Sequence, residues 1–464
     1  MRGTKPDAKA SGGGFLPGGS GAAAFSPFAD TFDNSDFAAF APVSDVGGSG
    51  RAFADAEAGG TRARVEIVYN GRVFYYADEF ITATDHTVEE TIFNRKINSP
   101  LPDKLRLVEK CLTAGASYKD AVLYCFPLIA GTVSAAVAYI DRAPVDSVIK
   151  FNPDKTPMFE ITRESVGYEM AENRLYQEIY LALKRGPDAR IAAIPKVLQP
   201  SVTAYDNMKL TKLRARFTTD YASSVENRKH NIRLALKKIN GTVLMPGKEF
   251  SFNGAVGPRT VKNGFKEAKI IMSGEYVEGV GGGVCQASTT LYNCAVLSGL
   301  EVTAVNNHSL ACGYVGPSFD AMVNASWSDL KFKCGADTPV FIRAYGTVAT
   351  AVVEIYGAPL PYTITTQSVI VSKADPPADR EIIDVERKYV APASRPGDKL
   401  RVSYGHGAMK SEGYLLYHDK SGKLIDKKLI RRDSYSPIAG IIAVTPLDAL
   451  SSAADQTEQP AAPF

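Results

Sequence analysis

Three consecutive glycines, Gly281-Gly282-Gly283, run into Val284-Cys285-Gln286-Ala287-Ser288-Thr289-Thr290-Leu291-Tyr292-Asn293. Glycine runs cost backbone entropy, so a chain keeps them where it must bend sharply or be approached closely. The residues that follow have no glycine until Gly299 and acquire helical spacing, with Leu291, Ala295 and Leu297/Ser298 on one side. Gly299 stands where a helix C-terminus favours glycine. The stretch predicts a glycine turn that opens a helix, with Cys285 in the first turn. Unpaired N–H groups and the positive end of the helix dipole favour an anion there. A cysteine so placed has a lowered pKa and the character of a nucleophile, and the same N–H groups suit the oxyanion of an acyl-transfer intermediate. The competing reading is a structural turn with an inert, buried thiol.

A chain of 464 residues has the length for about three domains. A net charge of +3 leaves no electrostatic footprint for nucleic acid, and six cysteines are too few for a disulfide scaffold in a chain this long. The pattern along the chain divides it into six segments. Residues 1–62 are rich in Gly, Ala, Ser, Asp and Phe without hydrophobic period, which predicts disorder. They lack the basic stretch and apolar run of an export signal, so the reading leaves open another export route, a start further upstream, or retention inside the cell.

Residues 63–145 open with strands over 64–69 and 72–76 around Asn70-Gly71, a strong hairpin signal. Helices are expected over 86–96 and 103–114. The 20 uncharged residues from Ala121 to Ile140 read as a buried helix, since Pro127, Gly131, Thr132 and Ser134 interrupt any membrane span. Residues 146–212 predict strands over 147–151, 158–161 and 189–197 and a helix over 172–184. The central segment, 213–357, opens on Ser223 followed three residues later by Glu226, the form of a capping box. The helix behind it turns Val225, Ile232, Ala235/Leu236 and Ile239 inward, and most of its Arg and Lys residues form a solvated face. A strand over 249–253, a loop over 255–264, a hairpin around Ser273-Gly274 and a strand over 301–305 follow. Residues 358–446 read as a small all-β module with strands over 368–371, 400–404, 413–417 and 423–430, and 447–464 as a frayed tail. The fold class is therefore α+β and multidomain: two small α/β units, a central α+β domain and an all-β module.

A cysteine nucleophile needs an imidazole within hydrogen-bond reach and a third group to orient it. Among five histidines, His308 lies closest in sequence to Cys285 on a plausible return path. Asp320 suits either the orienting role or the capping of a local turn, and the turn is favoured in isolation. No cysteine pair has the C-x₂₋₄-C spacing of a zinc site, so no metal is expected. Cys111 and Cys125 read as core.

The central domain resembles the VanW family of bacterial cell-envelope proteins. The likeness runs through Asn227-Arg228-Lys229-His230-Asn231-Ile232, Pro246-Gly247-Lys248-Glu249-Phe250-Ser251-Phe252-Asn253, Val256-Gly257-Pro258-Arg259-Thr260, the Gly281–Asn293 stretch, His308-Ser309-Leu310 and Asp320-Ala321. The flanking parts look like the peptidoglycan-binding repeats and the small glycine-named β domain that accompany such domains. The resemblance implies an extracytoplasmic place in the cell envelope, with peptidoglycan stem peptides and glycan as partners and no cofactor. Some members are understood to act as L,D-transpeptidases, which implies Cys285 as nucleophile, His308 as base and Asp320 behind it. It also implies Arg228, Gly283, Gln286 and Ser309 as substrate-binding or oxyanion residues, Arg228 because a guanidinium binds carboxylates bidentately. The alternative it leaves is a non-catalytic peptidoglycan-binding or glycopeptide-resistance accessory protein.

Overall fold

In the computed structural model, which describes residues 62–78, 98–272, 275–391 and 394–446, Asn70 and Gly71 both take positive φ, 44° and 80°. That turn matches the natural twist of a hairpin, and Arg64–Tyr69 pairs antiparallel with Arg72–Ala77. The segment 1–61, the helix expected over 86–96, the turn at 273–274 and the tail from 447 lie outside the described residues.

On its other edge Arg64–Tyr69 pairs in parallel with Asp188–Ala192. This pairing crosses the boundary drawn at 145/146. Val65, Ile67, Val108, Ile129, Val133, Leu175, Ile179 and Ile191 accordingly share one core. The expected strand over 189–197 is two strands, Asp188–Ala192 and Lys196–Leu198, the second paired with Gly167–Glu169. Pro195 has no N–H for a ladder and stands at the break. The uncharged run is likewise two helices, Tyr118–Cys125 and Ile129–Ile140, divided where Pro127 denies the first helix its next hydrogen bond. Among the described residues no helix is long and apolar enough to cross a membrane. The hairpin Ile149–Phe151/Phe159–Ile161 packs Phe151 and Phe159 onto Phe341, ring centroids 5.3 Å apart in both pairs.

Phe341 belongs to a four-stranded antiparallel sheet in the order Lys212–Asp220, Thr350–Gly357, Val340–Gly346, Thr242–Leu244. Two helices, Glu226–Ile239 and Val284–Leu297, pack in the core it bounds, with Ile232, Ala235, Leu236, Ile239, Leu291 and Ala295 buried. Enclosing Leu291 alone is worth roughly 1.5–3 kcal/mol relative to exposure. The first of these helices starts later than a capping box requires. Its N-cap is Val225, which is 65% exposed and makes no cap bond. Ser223 therefore lies outside the helix, while Ser224 Oγ accepts from the Arg228 guanidinium at 2.6 Å.

A second sheet sets Lys331–Lys333 between Glu249–Ser251 and Glu301–Ala304. The strand expected over 249–253 ends early because the Ser251 hydroxyl accepts from the Gly254 amide at 2.9 Å, capping the short helix Phe252–Val256. The all-β module forms two three-stranded sheets. One has Met409–His418 between Thr363–Lys373 and Leu424–Tyr435. The other has Ile441–Val444 between Arg380–Ile383 and Lys399–Ser403. The strands Arg380–Ile383 and Ile441–Val444 are only four residues long, too short for a pattern to reveal.

Candidate active site

Each of the three glycines meets a different demand. Gly281 and Gly283 have φ of 93° and 102°, which L side chains rarely adopt. A Cβ at Gly282 would lie 2.6 Å from the Lys269 carbonyl oxygen and 2.7 Å from that of Ala268. The hairpin Glu267–Met272/Glu275–Val280 thus lies directly against the turn. Buried Asn231 ties them together, donating to the carbonyls of Lys266 (2.8 Å) and Gly282 (3.0 Å). Gly283 is the N-cap of Val284–Leu297, which puts Cys285 second in the helix.

This helix is buried almost all round although it carries Gln286, Ser288, Thr289, Thr290 and Asn293. Their polar groups are spent on two neighbours. Gln286 Nε2 donates to Thr219 Oγ1 (3.1 Å) and to the Asp220 carbonyl (2.7 Å), and Thr219 and Thr290 share a 2.8 Å bond. These fasten the helix to the strand Lys212–Asp220. On the opposite side, Ser288 Oγ donates to the Ala321 carbonyl (2.6 Å), the Ala321 amide donates to Thr289 Oγ1 (3.0 Å), and Asn293 Nδ2 donates to the Phe319 carbonyl (2.7 Å). The backbone on both sides of Asp320 is thereby locked to the cysteine helix.

Asp320 is 1% exposed and His308 7%. Asp320 Oδ2 accepts from the His308 backbone amide at 2.7 Å and lies 2.6 Å from ring Nδ1. The local turn expected of Asp320 is not what its carboxylate does: it faces the imidazole. With Nδ1 on Asp320, Nε2 is the nitrogen left for the Cys285 thiol, which also reaches the Val323 carbonyl at 3.3 Å. Burial pushes the Cys285 pKa up, but the hydrogen bond and charge of His308 and the charge of Arg259 bring it below the ordinary thiol value. Burial pulls His308 down, and its bonds to Asp320, Cys285 and Cys312 more than offset that, raising it to about 12. Burial would raise Asp320, and His308 holds it below the usual carboxylate range. These directions set an imidazolium–carboxylate pair beside a thiol of lowered pKa.

The remaining candidates from sequence are placed differently. Gly283 caps the cysteine helix, with the Gln286 amide donating to its carbonyl at 2.9 Å. The Gln286 side chain points to Thr219 and Asp220, away from an oxyanion role. Arg228 packs its stem beneath Gly283 and gives its guanidinium to Ser224. Ser309 is exposed, and its carbonyl accepts from the Ser436 amide at 2.9 Å.

Four side chains at the site escaped the sequence reading. Arg259, half-buried, stacks over Phe252 and is close enough to Cys285 to lower its pKa. Its segment Gly257-Pro258-Arg259 was visible, but nothing in the spacing relates it to a thiol. Tyr314 lies against Cys312 and Thr289, and burial raises its pKa. Tyr435 and Arg431 reach Asp320 from the all-β module. Cys312 Sγ is 3.3 Å from His308 Nδ1, and the ligand atoms of His308, Cys312 and Asp320 all lie within 4.8 Å of one another. A metal held there would have to displace the proton that Nδ1 shares with Asp320.

Cys294 and Cys334 are buried, and burial pushes the Cys294 thiol far above its ordinary value. Iodoacetamide at neutral pH is therefore expected to label Cys285 well before either. Peptide mapping by mass spectrometry reads the order, and labelling of Cys294 first would contradict the thiolate assignment.

The α+β domain thus brings a thiol, an imidazole and a carboxylate together at a glycine-led helix start. Residues 227–356 match the family model described as VanW like protein. The chain is 31% identical over 218 residues to Uncharacterized protein YoaR of Bacillus subtilis (strain 168), covering 47% of this chain and 70% of that protein. It is 28% identical over 118 residues to Vancomycin B-type resistance protein VanW of Enterococcus faecalis (strain ATCC 700802 / V583), covering 24% of this chain and 42% of that protein. The chain belongs to the VanW family. A solved structure titled Crystal structure of HP0197-G5 is 18% identical over 17% of this chain and 95% of its own, at a TM-score of 0.09, too low to bear on the fold.

Proposed function

We propose that this is a cell-envelope protein that transfers acyl groups on peptidoglycan stem peptides through a Cys285 thioester, as an L,D-transpeptidase does. The observation that carries the reading is the buried His308–Asp320 pair, with 2.6 Å between Asp320 Oδ2 and His308 Nδ1, beside the half-buried Cys285. The name of the Enterococcus relative, a vancomycin resistance protein, supports a setting at the cell wall.

In this reading the Cys285 thiolate attacks the carbonyl of the L-centre in a stem tetrapeptide. The amide of Cys285, in the first turn of its helix, would donate to the oxygen that gains charge, where fixed donors contribute most. Collapse of the tetrahedral adduct breaks the C–N bond, and the His308 imidazolium gives its proton to the departing D-alanine amine. The product is a thioester and a neutral imidazole. A side-chain amine of a neighbouring stem then attacks the thioester, His308 takes its proton, and the thiolate leaves. The crosslink formed replaces the peptide bond lost, and the thiolate–imidazolium pair is restored.

The test is intact-protein mass spectrometry after incubation with a disaccharide-tetrapeptide. An adduct that maps to Cys285, D-alanine released in equal amount, and neither in Cys285→Ala, is the expected result. Absence of both in the wild type, with binding to sacculi retained, would make the chain a peptidoglycan-binding protein without this chemistry.

A further inference from the structure

The strand Leu424–Tyr435 belongs to the all-β module, yet its last residue ends inside the site. Tyr435 is 4% exposed. Its hydroxyl donates to Asp320 Oδ1 at 2.9 Å and accepts from the Ser318 amide at 2.8 Å. Asp320 Oδ2 already carries the two His308 bonds. Three donors, two on one oxygen and one on the other, fix the plane of the carboxylate as well as its charge.

The module also grips the chain on either side. Arg431 donates to the Asp320 carbonyl, lies over the Tyr292 ring at 5.4 Å and pairs with Asp433 at 2.9 Å. The Ser434 carbonyl accepts from Asn307 Nδ2 at 3.0 Å, and Ser411 and Ser318 share a 2.7 Å bond between their hydroxyls. The segment that holds His308 and Asp320 is thus clamped between the cysteine helix and the all-β module.

We propose that the all-β module is a working part of the thiol site and that Tyr435 is its positioning residue, holding Asp320 so that the carboxylate can orient and charge His308. This rests on the reading of Cys285 as a nucleophile. A buried carboxylate oxygen stripped of its donor is costly. It takes up a proton or turns toward another donor, and either change weakens the bond to Nδ1. The imidazolium then loses its partner, and the thiolate loses the imidazolium. Burial and the charge of Asp320 push the Tyr435 phenol above its ordinary value, so it stays a donor through the neutral range. The other ionisable groups around this carboxylate, Arg431, Asp433, Tyr292, Cys312 and Tyr314, are unchanged by substitution at 435.

The experiment is the pH profile of Cys285 alkylation by iodoacetamide on the full chain, followed by mass spectrometry. Wild type, Tyr435→Phe and Ser411→Ala are compared, the last removing a module contact that does not touch Asp320. The wild type is expected to titrate below an ordinary thiol. Tyr435→Phe is expected to raise that midpoint and slow alkylation at neutral pH by roughly tenfold, the worth of one hydrogen bond to a charged group, while Ser411→Ala leaves the midpoint in place. If Tyr435→Phe does not fold, 3-fluorotyrosine at position 435 keeps the shape, donates more strongly, and is expected to move the midpoint the other way. A low wild-type midpoint that neither change at 435 moves overturns the role of Tyr435 and leaves the nucleophile reading standing. Equal shifts in Tyr435→Phe and Ser411→Ala also overturn it, reducing the module to a scaffold. An ordinary wild-type midpoint overturns the nucleophile reading and the inference with it.

Discussion

Asp320→Asn is expected to leave the fold standing while lowering turnover in the proposed acyl transfer by roughly a thousandfold to ten-thousandfold, the scale seen when a triad aspartate is neutralised. The geometry makes this chiefly a removal of charge. Both His308 bonds fall on Oδ2, so an amide oxygen placed there accepts the same two donors. The amide nitrogen then takes the place of Oδ1 and donates to the Tyr435 hydroxyl, a group able to accept as well as donate. Shape and the two His308 bonds survive; the anion is lost, and with it the acceptor of the Tyr435 proton, whose oxygen already accepts from the Ser318 amide. Without it the main cause that raises His308 is gone, and with the imidazolium goes the chief cause that lowers Cys285.

The sign in pH follows from those directions. A thiol whose pKa is depressed stays a thiolate as pH falls below the ordinary value, and loses reactivity only when pH drops through the lowered pKa. In Asp320→Asn the same loss sets in at higher pH. Raising the pH should restore alkylation of the thiol but not turnover, because the departing amine still needs a proton from an imidazolium that is no longer held. Rates of alkylation and of D-alanine release, measured on one preparation across pH, separate the two. Turnover within a few-fold of wild type at neutral pH would remove Asp320 from the proposed mechanism.

What the sequence disclosed of this site was its local part. Glycines at 281–283, a glycine-free helix behind them and Gly299 beyond it are neighbours in the chain, and local sterics suffice to place Cys285 in the first turn. Asn70-Gly71 was legible for the same reason. His308 came into view because few histidines compete for the role. Asp320 was harder, since a polar residue after Pro317-Ser318 fits a turn equally well. Only the anchoring of Phe319 and Ala321 by Ser288, Thr289 and Asn293 shows that its side chain is turned inward. Tyr435 lies 115 residues from Asp320, and no spacing rule spans that distance. Gln286 shows the opposite error: beside Cys285 in sequence, it points away because a helix sends adjacent side chains to different faces. The parallel pairing of Arg64–Val68 with Asp188–Ala192 escaped for want of any periodic signal across the intervening helices.

Gly282→Ala is expected to destabilise the protein by about 3 kcal/mol or more, at the upper end for overpacking, and more than Ala at either flanking glycine. At Gly283 the added methyl meets the Arg228 Cγ at 2.8 Å, Ile232 Cγ1 at 3.0 Å and the Arg228 carbonyl oxygen at 3.1 Å, a looser backbone contact than the one at Gly282. The main cost there is the positive φ, roughly 1–3 kcal/mol, and Gly281 carries a similar strain. At Gly282 the obstacles are the backbone carbonyls of Ala268 and Lys269, which no rotamer change can move. The hairpin Glu267–Met272/Glu275–Val280 must shift away from the turn, and Asn231 cannot then keep its bonds to both Lys266 and Gly282. Denaturant unfolding of the three variants ranks the costs, and a Gly282→Ala midpoint equal to wild type would mean that the turn does not lie against the hairpin. Because the displaced turn is also the N-cap of the Cys285 helix, thiol reactivity should fall together with stability in this variant. In Asp320→Asn reactivity falls alone, so the pair distinguishes a site that has lost its charge from one that has lost its frame.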